Sequence, residues 1–189
     1  MRITGGRARG IPLAVPKGDA VRPATDAMRQ AVFSALASWV PDATFLDLFA
    51  GSGAYGLEAF SRGARAGIFV EKNARTVACL RQNITAVEKS LGGGTGTLQV
   101  INADATQVPV TVAPDLVFID PPYELIAEIG PKIFTRLTAL LAEKKDPLVV
   151  FEMPGELTLA PPGWVCAKRL GKGARQPTVC IFRTGRAST

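Results

Sequence analysis

The sequence of 189 residues contains no histidine and only three cysteines. Without an imidazole base, the Ser-His and Cys-His arrangements that activate nucleophiles are excluded for this chain, and a zinc enzyme is disfavoured. Cys79, Cys166 and Cys180 lie far apart and form no C-x-x-C pair, which indicates reduced thiols rather than disulfides or a zinc site. We therefore expect a cytoplasmic protein that works without a metal.

Long apolar runs are also missing. No stretch reaches the roughly 20 apolar residues that a membrane-spanning helix needs. The chain opens with Arg2 and further glycines and arginines rather than with a signal peptide. We therefore expect no membrane association. A composition that is 47% hydrophobic and 20% charged suits one globular domain with a sizeable core.

The charge of +6 is concentrated at the two ends of the chain. The basic residues of the ends are Arg2, Arg7, Arg9, Lys17, Arg22, Arg29, Lys168, Arg169, Lys172, Arg175, Arg183 and Arg186. Two basic ends around a nearly neutral middle favour a polyanionic partner, most simply a nucleic acid. The alternative is solubilising charge on the termini.

A short apolar segment followed by spaced glycines stands near the middle of the chain. Residues 44–49 are too few for a buried helix and suit a strand that is covered on both faces. The glycines that follow, in a G-x-G-x-x-G spacing, are Gly51, Gly53 and Gly56. Such glycines allow a tight turn and close approach of the backbone to a ligand before a helix begins. The pattern predicts a strand, a binding turn and a helix from about Ala54 to Arg62.

Strand and helix patterns alternate along the rest of the chain. Further strands are predicted at 66–70, 98–101, 116–119 and 148–151, and a closing hairpin at 164–170 and 178–182. This alternation predicts an α/β fold with a doubly wound, mostly parallel sheet that ends in an antiparallel hairpin. Residues 1–24 predict a small basic hairpin or arm ahead of a main domain at 25–189.

Acidic residues follow the second and third predicted strands. Glu71 comes about twenty residues after the glycine turn, where an acid accepts hydrogen bonds from ribose hydroxyls. Asp104 is placed to accept from an exocyclic amine such as that of adenine. Each could instead be a solvated strand end, but ligands of doubly wound sheets bind outside the carboxyl ends of the strands.

The fourth strand ends in Asp120-Pro121-Pro122-Tyr123. Two prolines stiffen this backbone and remove two N–H donors, which leaves a carboxylate and a carbonyl held together as acceptors. Such a pair can accept both hydrogens of an amino group, and the tyrosine ring can stack on a planar base. The alternative is a proline turn with the tyrosine as a core residue.

These residues resemble the class I S-adenosylmethionine-dependent methyltransferases that methylate exocyclic amino groups. The resemblance rests on Asp47-x-Phe49-x-Gly51-x-Gly53, Glu71, Asp104 and Asp120-Pro121-Pro122-Tyr123. More narrowly, Arg22-Pro23-Ala24-Thr25-Asp26-x-x-Arg29 and the run 47–62 are similar to the bacterial guanine-N2 methyltransferases of small-subunit (16S) ribosomal RNA, the RsmD type. The resemblance covers nearly the whole chain.

The resemblance implies a role for individual residues. The cofactor would be held by Thr25, Asp47, Phe49, Ala50, Gly51, Gly53, Glu71, Asp104 and Ala105. Asp120 and the Pro121 carbonyl, stiffened by Pro122, would bind the target amine, with Tyr123 against the base. Ribosomal RNA or the small ribosomal subunit would be the partner, and the basic N-terminal residues that would hold its phosphates are Arg7, Arg9, Arg22 and Arg29.

Other functions fit parts of the pattern. The Asp-Pro-Pro-Tyr tetrapeptide is shared with adenine and glutamine methyltransferases, so N6-adenine methylation of DNA is an alternative. The glycine spacing with Glu71 also fits a nicotinamide-dependent oxidoreductase, although that class leaves the tetrapeptide unexplained. The basic ends alone would suit a noncatalytic RNA-binding module.

Overall fold

A computed structural model describes residues 1–15, 25–93, 96–108, 111–171, 173 and 176–185. The helices are α1 (Asp26–Ala35), α2 (Ala54–Ser61), α3 (Ala74–Ser90) and α4 (Ile126–Leu140), with a short 3-10 helix at Tyr123–Leu125. The strands are β1 (Thr44–Leu48), β2 (Ala66–Glu71), β3 (Thr97–Asn102), β4 (Leu116–Ile119), β5 (Leu148–Pro154), β6 (Trp164–Leu170) and β7 (Pro177–Thr184).

The strands form one sheet in the order β3-β2-β1-β4-β5-β7-β6. Strands β1 to β5 are parallel, whereas β7 is antiparallel to both β5 and β6. The predicted doubly wound sheet with a closing hairpin is thus confirmed. Because β1 lies between β2 and β4, the strand order reverses direction at the β1–β4 boundary, which is where such sheets bind ligands.

The two faces of the sheet carry separate apolar clusters. Alternate residues of β1 show this division: Phe45 packs with α1, α2 and α3, whereas Leu46 packs with α4. The strands are apolar on both faces because helices cover both sides, as expected for parallel sheets. The central strands are therefore packed on both faces, which fixes the positions of their carboxyl ends.

Strand β5 is longer than predicted. Its antiparallel partner β7 pairs with it as far as Pro154, so the strand continues past the predicted end at Phe151 and includes Glu152. Pairing with β7 satisfies backbone groups beyond Phe151 and so extends the strand.

The N-terminal residues form a hairpin that packs on α2. The Ile3 amide donates to the Ile11 carbonyl at 2.9 Å, and Ile3 itself is buried in the core. The Thr4 amide and hydroxyl both donate to the buried carboxylate of Glu58, at 2.7 and 2.8 Å. The predicted hairpin is present. The predicted domain boundary after residue 24 adjoins residues 16–24, which lie outside the described part of the chain, and stays a prediction.

Candidate active site

The glycine turn after β1 has an unusual backbone. Phe49, Gly51 and Gly53 all have positive φ angles, of 60°, 54° and 81°. A Cβ on Gly53 would lie 2.4 Å from the Leu80 side chain, and one on Gly56 would lie 2.3 Å from the Phe69 ring. A Cβ on Gly51 would meet only the Phe49 carbonyl oxygen, at 3.9 Å. The later glycines therefore allow close packing of α2, whereas Gly51 serves the turn itself.

A cavity of about 840 Å³ lies at the carboxyl ends of the strands, within the size range of ligand sites. Several predicted site residues line it: Asp47, Phe49, Ala50, Gly51, Glu71, Asp104, Ala105, Asp120 and Pro122. Gly53, Thr25, Pro121 and Tyr123 are not among its lining residues. The structure thus brings the acids of four strands to one opening.

Thr25 has a structural role in the described chain. Its hydroxyl caps α1 by accepting a hydrogen bond from the Met28 amide at 3.1 Å. The predicted contact of Thr25 with a cofactor carboxylate stays a prediction.

Glu71, at the end of β2, accepts two backbone hydrogen bonds. The Gly51 amide donates to its Oε2 at 3.0 Å, and the Asn73 amide donates to its Oε1 at 2.7 Å. Each oxygen keeps a lone pair for a further donor. The carboxylate is therefore fixed beside the glycine turn and can still accept from a ligand hydroxyl.

Asp104, after β3, is held by its own turn. Its Oδ1 accepts from both the amide and the hydroxyl of Thr106, and its Oδ2 accepts from Lys72 at 3.0 Å. These interactions lower the pKa of Asp104 to about 2, with the Thr106 hydroxyl as the largest cause. Asp104 is therefore ionised before any ligand binds, and the nearby Lys72 offsets part of its negative charge.

The wall beside Asp104 is fixed by a residue that the sequence did not indicate. Arg136 of α4 donates to the Ala105 carbonyl at 3.3 Å and also to the carbonyls of Thr106 and Val108. Ala105 and Thr106 both line the cavity. A guanidinium that bridges several carbonyls holds this loop rigidly against the sheet.

Asp47 is buried beneath the glycine turn. It is 2% exposed, and its Oδ2 accepts from the Gly56 amide in the first turn of α2 at 2.9 Å. Burial raises the pKa of Asp47 to about 8. The hydrogen bond from Gly56 lowers this pKa, and the charge of Glu71 raises it. Asp47 ties the start of α2 to β1 and supports the loop that lines the cavity.

Asp120 faces the same cavity from the end of β4. Burial raises the pKa of Asp120 well above its ordinary value, and the charges of Glu152 and Asp47 raise it further. Pro122 lines the opening, and Tyr123 is 41% exposed at the start of the 3-10 helix. The tetrapeptide therefore presents a carboxylate to the cavity and an aromatic ring near its edge.

Tyr55 and Glu152 form a buried pair that was not among the predicted site residues. The Tyr55 hydroxyl donates to Glu152 Oε2 at 2.8 Å, and both residues are buried. Burial raises the pKa of each, and for Tyr55 the charge of Glu152 is the next cause. A signal was present: the run ending in Phe151 and Glu152 repeats the pattern of β4, an apolar strand closed by an acid.

The predicted RNA-contacting arginines have different positions. Arg7 and Arg9 are exposed on the N-terminal hairpin. Arg22 lies outside the described residues. The prediction for Arg29 is wrong, because its side chain is fully buried and forms ion pairs with Asp26 at 2.7 Å and Glu58 at 4.0 Å. It joins α1 to α2 beneath the surface, out of reach of a phosphate.

The described residues contain neither a cluster of metal-ligating side chains nor a membrane-spanning helix. No group of three or more His, Cys, Asp or Glu side chains in them is arranged to hold a metal ion. Among the helices in the described ranges, none is long and apolar enough to cross a bilayer.

Comparisons with known proteins give consistent matches. The profile of a family described as conserved hypothetical protein 95 matches residues 1–180. The Escherichia coli (strain K12) protein named ribosomal RNA small subunit methyltransferase D is 37% identical over 125 residues, which are 65% of this chain and 60% of that protein. YlbH of Bacillus subtilis is 32% identical over 129 residues, which are 66% of this chain and 67% of YlbH. The solved structure of YhhF from Escherichia coli superposes with a TM-score of 0.78 at 29% identity, covering 97% of both chains.

Proposed function

The chain belongs to the family described as conserved hypothetical protein 95, and on this premise we propose that it transfers a methyl group from S-adenosylmethionine to guanine N2 of small-subunit (16S) ribosomal RNA. The observation that carries the proposal is the placement of Asp120 on the same cavity as the glycine turn and Glu71. The fold is that of the class I methyltransferases.

The cavity fits the cofactor by size and by chemistry. Its volume of about 840 Å³ accommodates a nucleoside carrying an amino-acid tail. Glu71 would accept from the ribose hydroxyls, Asp104 and Ala105 would border the adenine, and the backbone from Phe49 to Gly51 would face the methionine part, with Gly53 and Asp47 supporting the turn. The cofactor supplies a methyl group already activated on a sulfonium sulfur, so neither a metal nor an imidazole is needed.

The Asp120 end of the cavity suits an amino group as the acceptor. The lone pair of an exocyclic base nitrogen is delocalised into the ring and is a poor nucleophile. Accepting its N–H bonds with the Asp120 carboxylate and the Pro121 carbonyl favours the pyramidal, increasingly positive nitrogen of the transition state. Holding the reacting groups in line reduces the barrier further.

Guanine in ribosomal RNA is proposed as the target because of the relatives and the charge. The Escherichia coli protein that aligns with 65% of this chain bears the name of a ribosomal RNA methyltransferase, although the alignment spans only 60% of its length. The chain carries a net charge of +6, and Arg7 and Arg9 are exposed. Both features suit contacts with phosphates. A base must leave its stack to enter such a cavity, which favours an unpaired RNA segment as the target.

Mapping of methylated nucleotides tests the proposal. Ribosomal RNA from cells with and without this gene should differ by one methylated guanine of the small-subunit RNA. In vitro, labelled methyl transfer to small ribosomal subunits, but not to duplex DNA, would separate the proposed function from N6-adenine methylation of DNA. Identical methylation maps in the two strains would overturn it.

Binding experiments test the functions of other classes. Calorimetric titration should show binding of S-adenosylhomocysteine and none of NAD. Binding of NAD alone would favour an oxidoreductase. RNA binding without affinity for S-adenosylhomocysteine would favour a noncatalytic module.

A further inference from the structure

Asp120 and Glu152 occupy equivalent positions on neighbouring parallel strands. In the register of β4 and β5, Ile119 pairs with Phe151, so the next residue on each strand is an acid. Adjacent strands lie about 4.8 Å apart, and side chains two residues apart share a face. Asp120 and Glu152 therefore share the face of Phe118 and Val150, both of which pack in the cluster with α1 and α2. Two carboxylates stand side by side at the end of the sheet.

Glu152 is the more deeply placed of the two. It is 1% exposed, whereas Asp120 lines the cavity. The Tyr55 hydroxyl donates to it at 2.8 Å, and the Tyr55 ring is stacked on Phe118 with centroids 5.6 Å apart. A tyrosine held by packing in this way keeps a buried negative charge at a fixed position. Glu152 is thus placed to act on Asp120 rather than on a ligand.

The charged groups around the pair favour ionisation of Glu152 over that of Asp120. The groups that face them from the surrounding elements are Tyr55 of α2, Tyr123 after β4, Asp47 of β1 and Arg29 of α1. The two hydroxyls and the guanidinium stabilise the charged form of Glu152, which offsets part of its burial. Asp120 instead experiences burial and the negative charges of Glu152 and Asp47, all of which raise its pKa.

We propose that Glu152 is a positioning residue whose buried negative charge makes Asp120 a stronger base, so that Asp120 takes the proton lost by the methylated nitrogen. This role rests on the function proposed above. As the nitrogen lone pair forms the bond to the methyl carbon, the carbon–sulfur electron pair leaves with the sulfur. One N–H bond then breaks, its electron pair stays on the nitrogen, and the proton forms an O–H bond with the Asp120 carboxylate.

The isosteric substitution Glu152→Gln tests the proposal. It removes the charge but keeps an oxygen that can accept from Tyr55. Because Asp120 would lose the neighbouring charge that raises its pKa, the acid limb of kcat/KM against pH should move to lower pH by about one unit or more. The plateau rate should fall roughly tenfold, because Asp120 becomes a weaker base. Affinity for S-adenosylhomocysteine should not change.

The charge-retaining substitution Glu152→Asp is the matched control. It alters shape and the contact with Tyr55 but keeps the negative charge, so its acid limb should stay close to that of the unmodified protein. If the acid limb moves in Glu152→Asp, which changes the shape, but not in Glu152→Gln, which removes the charge, the proposal is overturned. So would an unshifted Glu152→Gln profile.

An infrared titration provides a readout that needs no activity. The carbonyl stretch of the protonated Asp120 carboxyl, assigned by its absence in Asp120→Asn, should titrate at lower pH in Glu152→Gln. Coupling between two titrating groups is mutual, so the carbonyl band of protonated Glu152 should also titrate at lower pH in Asp120→Asn. This second variant tests the pair even if Glu152→Gln does not fold. Unmoved bands would overturn the coupling. Moved bands in a protein that methylates no RNA would uphold the coupling and overturn the proposed function instead.

Discussion

Two groups of acids stand at the carboxyl ends of the strands but differ in their surroundings. Glu71 and Asp104 follow the outer strands β2 and β3, where backbone amides and Lys72 donate to them. Asp47, Asp120 and Glu152 lie in or directly after the central strands, where burial is the largest influence on each pKa and the charges of Glu152 and Asp47 also raise that of Asp120. Carboxyl groups at the same edge of one sheet thus have pKa values shifted in opposite directions by their surroundings, downwards for Asp104 and upwards for Asp47 and Asp120.

The difference suits the two halves of the proposed reaction. Asp104, whose hydrogen bonds lower its pKa to about 2, stays ionised and can accept from a ligand donor without taking its proton. A carboxyl whose charged form is disfavoured by burial has an increased affinity for a proton, as a proton acceptor requires. The outer acids are thus suited to binding and the central acids to chemistry.

Replacing the central acid at the cavity should have the largest effect. Asp120→Asn keeps the shape of the side chain but replaces a carboxylate oxygen with an N–H donor, which faces the target amine. We expect methyl transfer to fall by about 10³-fold, in line with the loss of an electrostatic partner in a transition state. Steady-state kinetics on ribosomal subunits would measure the loss, with S-adenosylhomocysteine affinity as the control. Unreduced turnover would contradict the assignment of Asp120.

Asp47→Asn tests the cost of burying a central acid. The folded pKa of about 8 lies above the unfolded value near 3.8, so the folded state binds more protons between these values. The free energy of unfolding of the unmodified protein should therefore fall as pH rises from about 4 to 8, by up to about 1.4 kcal/mol per pH unit from this residue. The asparagine variant can still accept from the Gly56 amide and should show a flatter profile. Urea denaturation across this range measures both, and parallel profiles would contradict the burial argument.

Replacing an outer acid should affect binding rather than chemistry. Glu71→Gln leaves one oxygen that can accept from either the Gly51 or the Asn73 amide and places an N–H₂ group against the other amide. We expect S-adenosylhomocysteine to bind about tenfold more weakly, near the value of one hydrogen bond to a charged group. Calorimetry measures the affinity, and kcat at saturating cofactor should change little. A large fall in kcat with unchanged affinity would reverse the division between outer and central acids.

Asp104→Asn should have the smallest effect. The folded pKa of about 2 lies below the unfolded value of 3.8, so Asp104 stabilises the fold above that value and loses this contribution as pH falls towards 2. Because Lys72 is 77% exposed, solvent screens the ion pair. Thermal melting of the variant should show slightly lower stability near neutrality and convergence with the unmodified protein in acid. A difference that grows in acid would have the wrong sign for this explanation.

Local signals predicted many of these features. Strand β4 was predicted with the observed bounds, because four apolar residues followed by Asp-Pro-Pro allow few other structures. The glycine turn was predicted from spacing, since φ angles such as +54° and +81° are readily adopted by glycine. The cavity residues after β1, β2, β3 and β4 followed from a general rule, that parallel strands present their carboxyl ends together.

Other features depended on long-range packing. Arg29 looked like a surface arginine in a basic segment, but its ion pair with Glu58 joins residues 29 positions apart and places it inside the molecule. The contact between Tyr55 and Glu152 spans 97 positions and forms only when the start of α2 comes close to the end of β5. Local periodicity contains no information about which elements meet at such distances.

The sequence by itself determined which elements form and which chemical groups end the strands, because backbone conformation and hydrophobic periodicity are local properties. The tertiary structure alone decided which of those acids are buried together and which accept backbone hydrogen bonds. Burial and charge proximity arise only when distant segments pack, and they set the proton affinity on which the proposed chemistry depends.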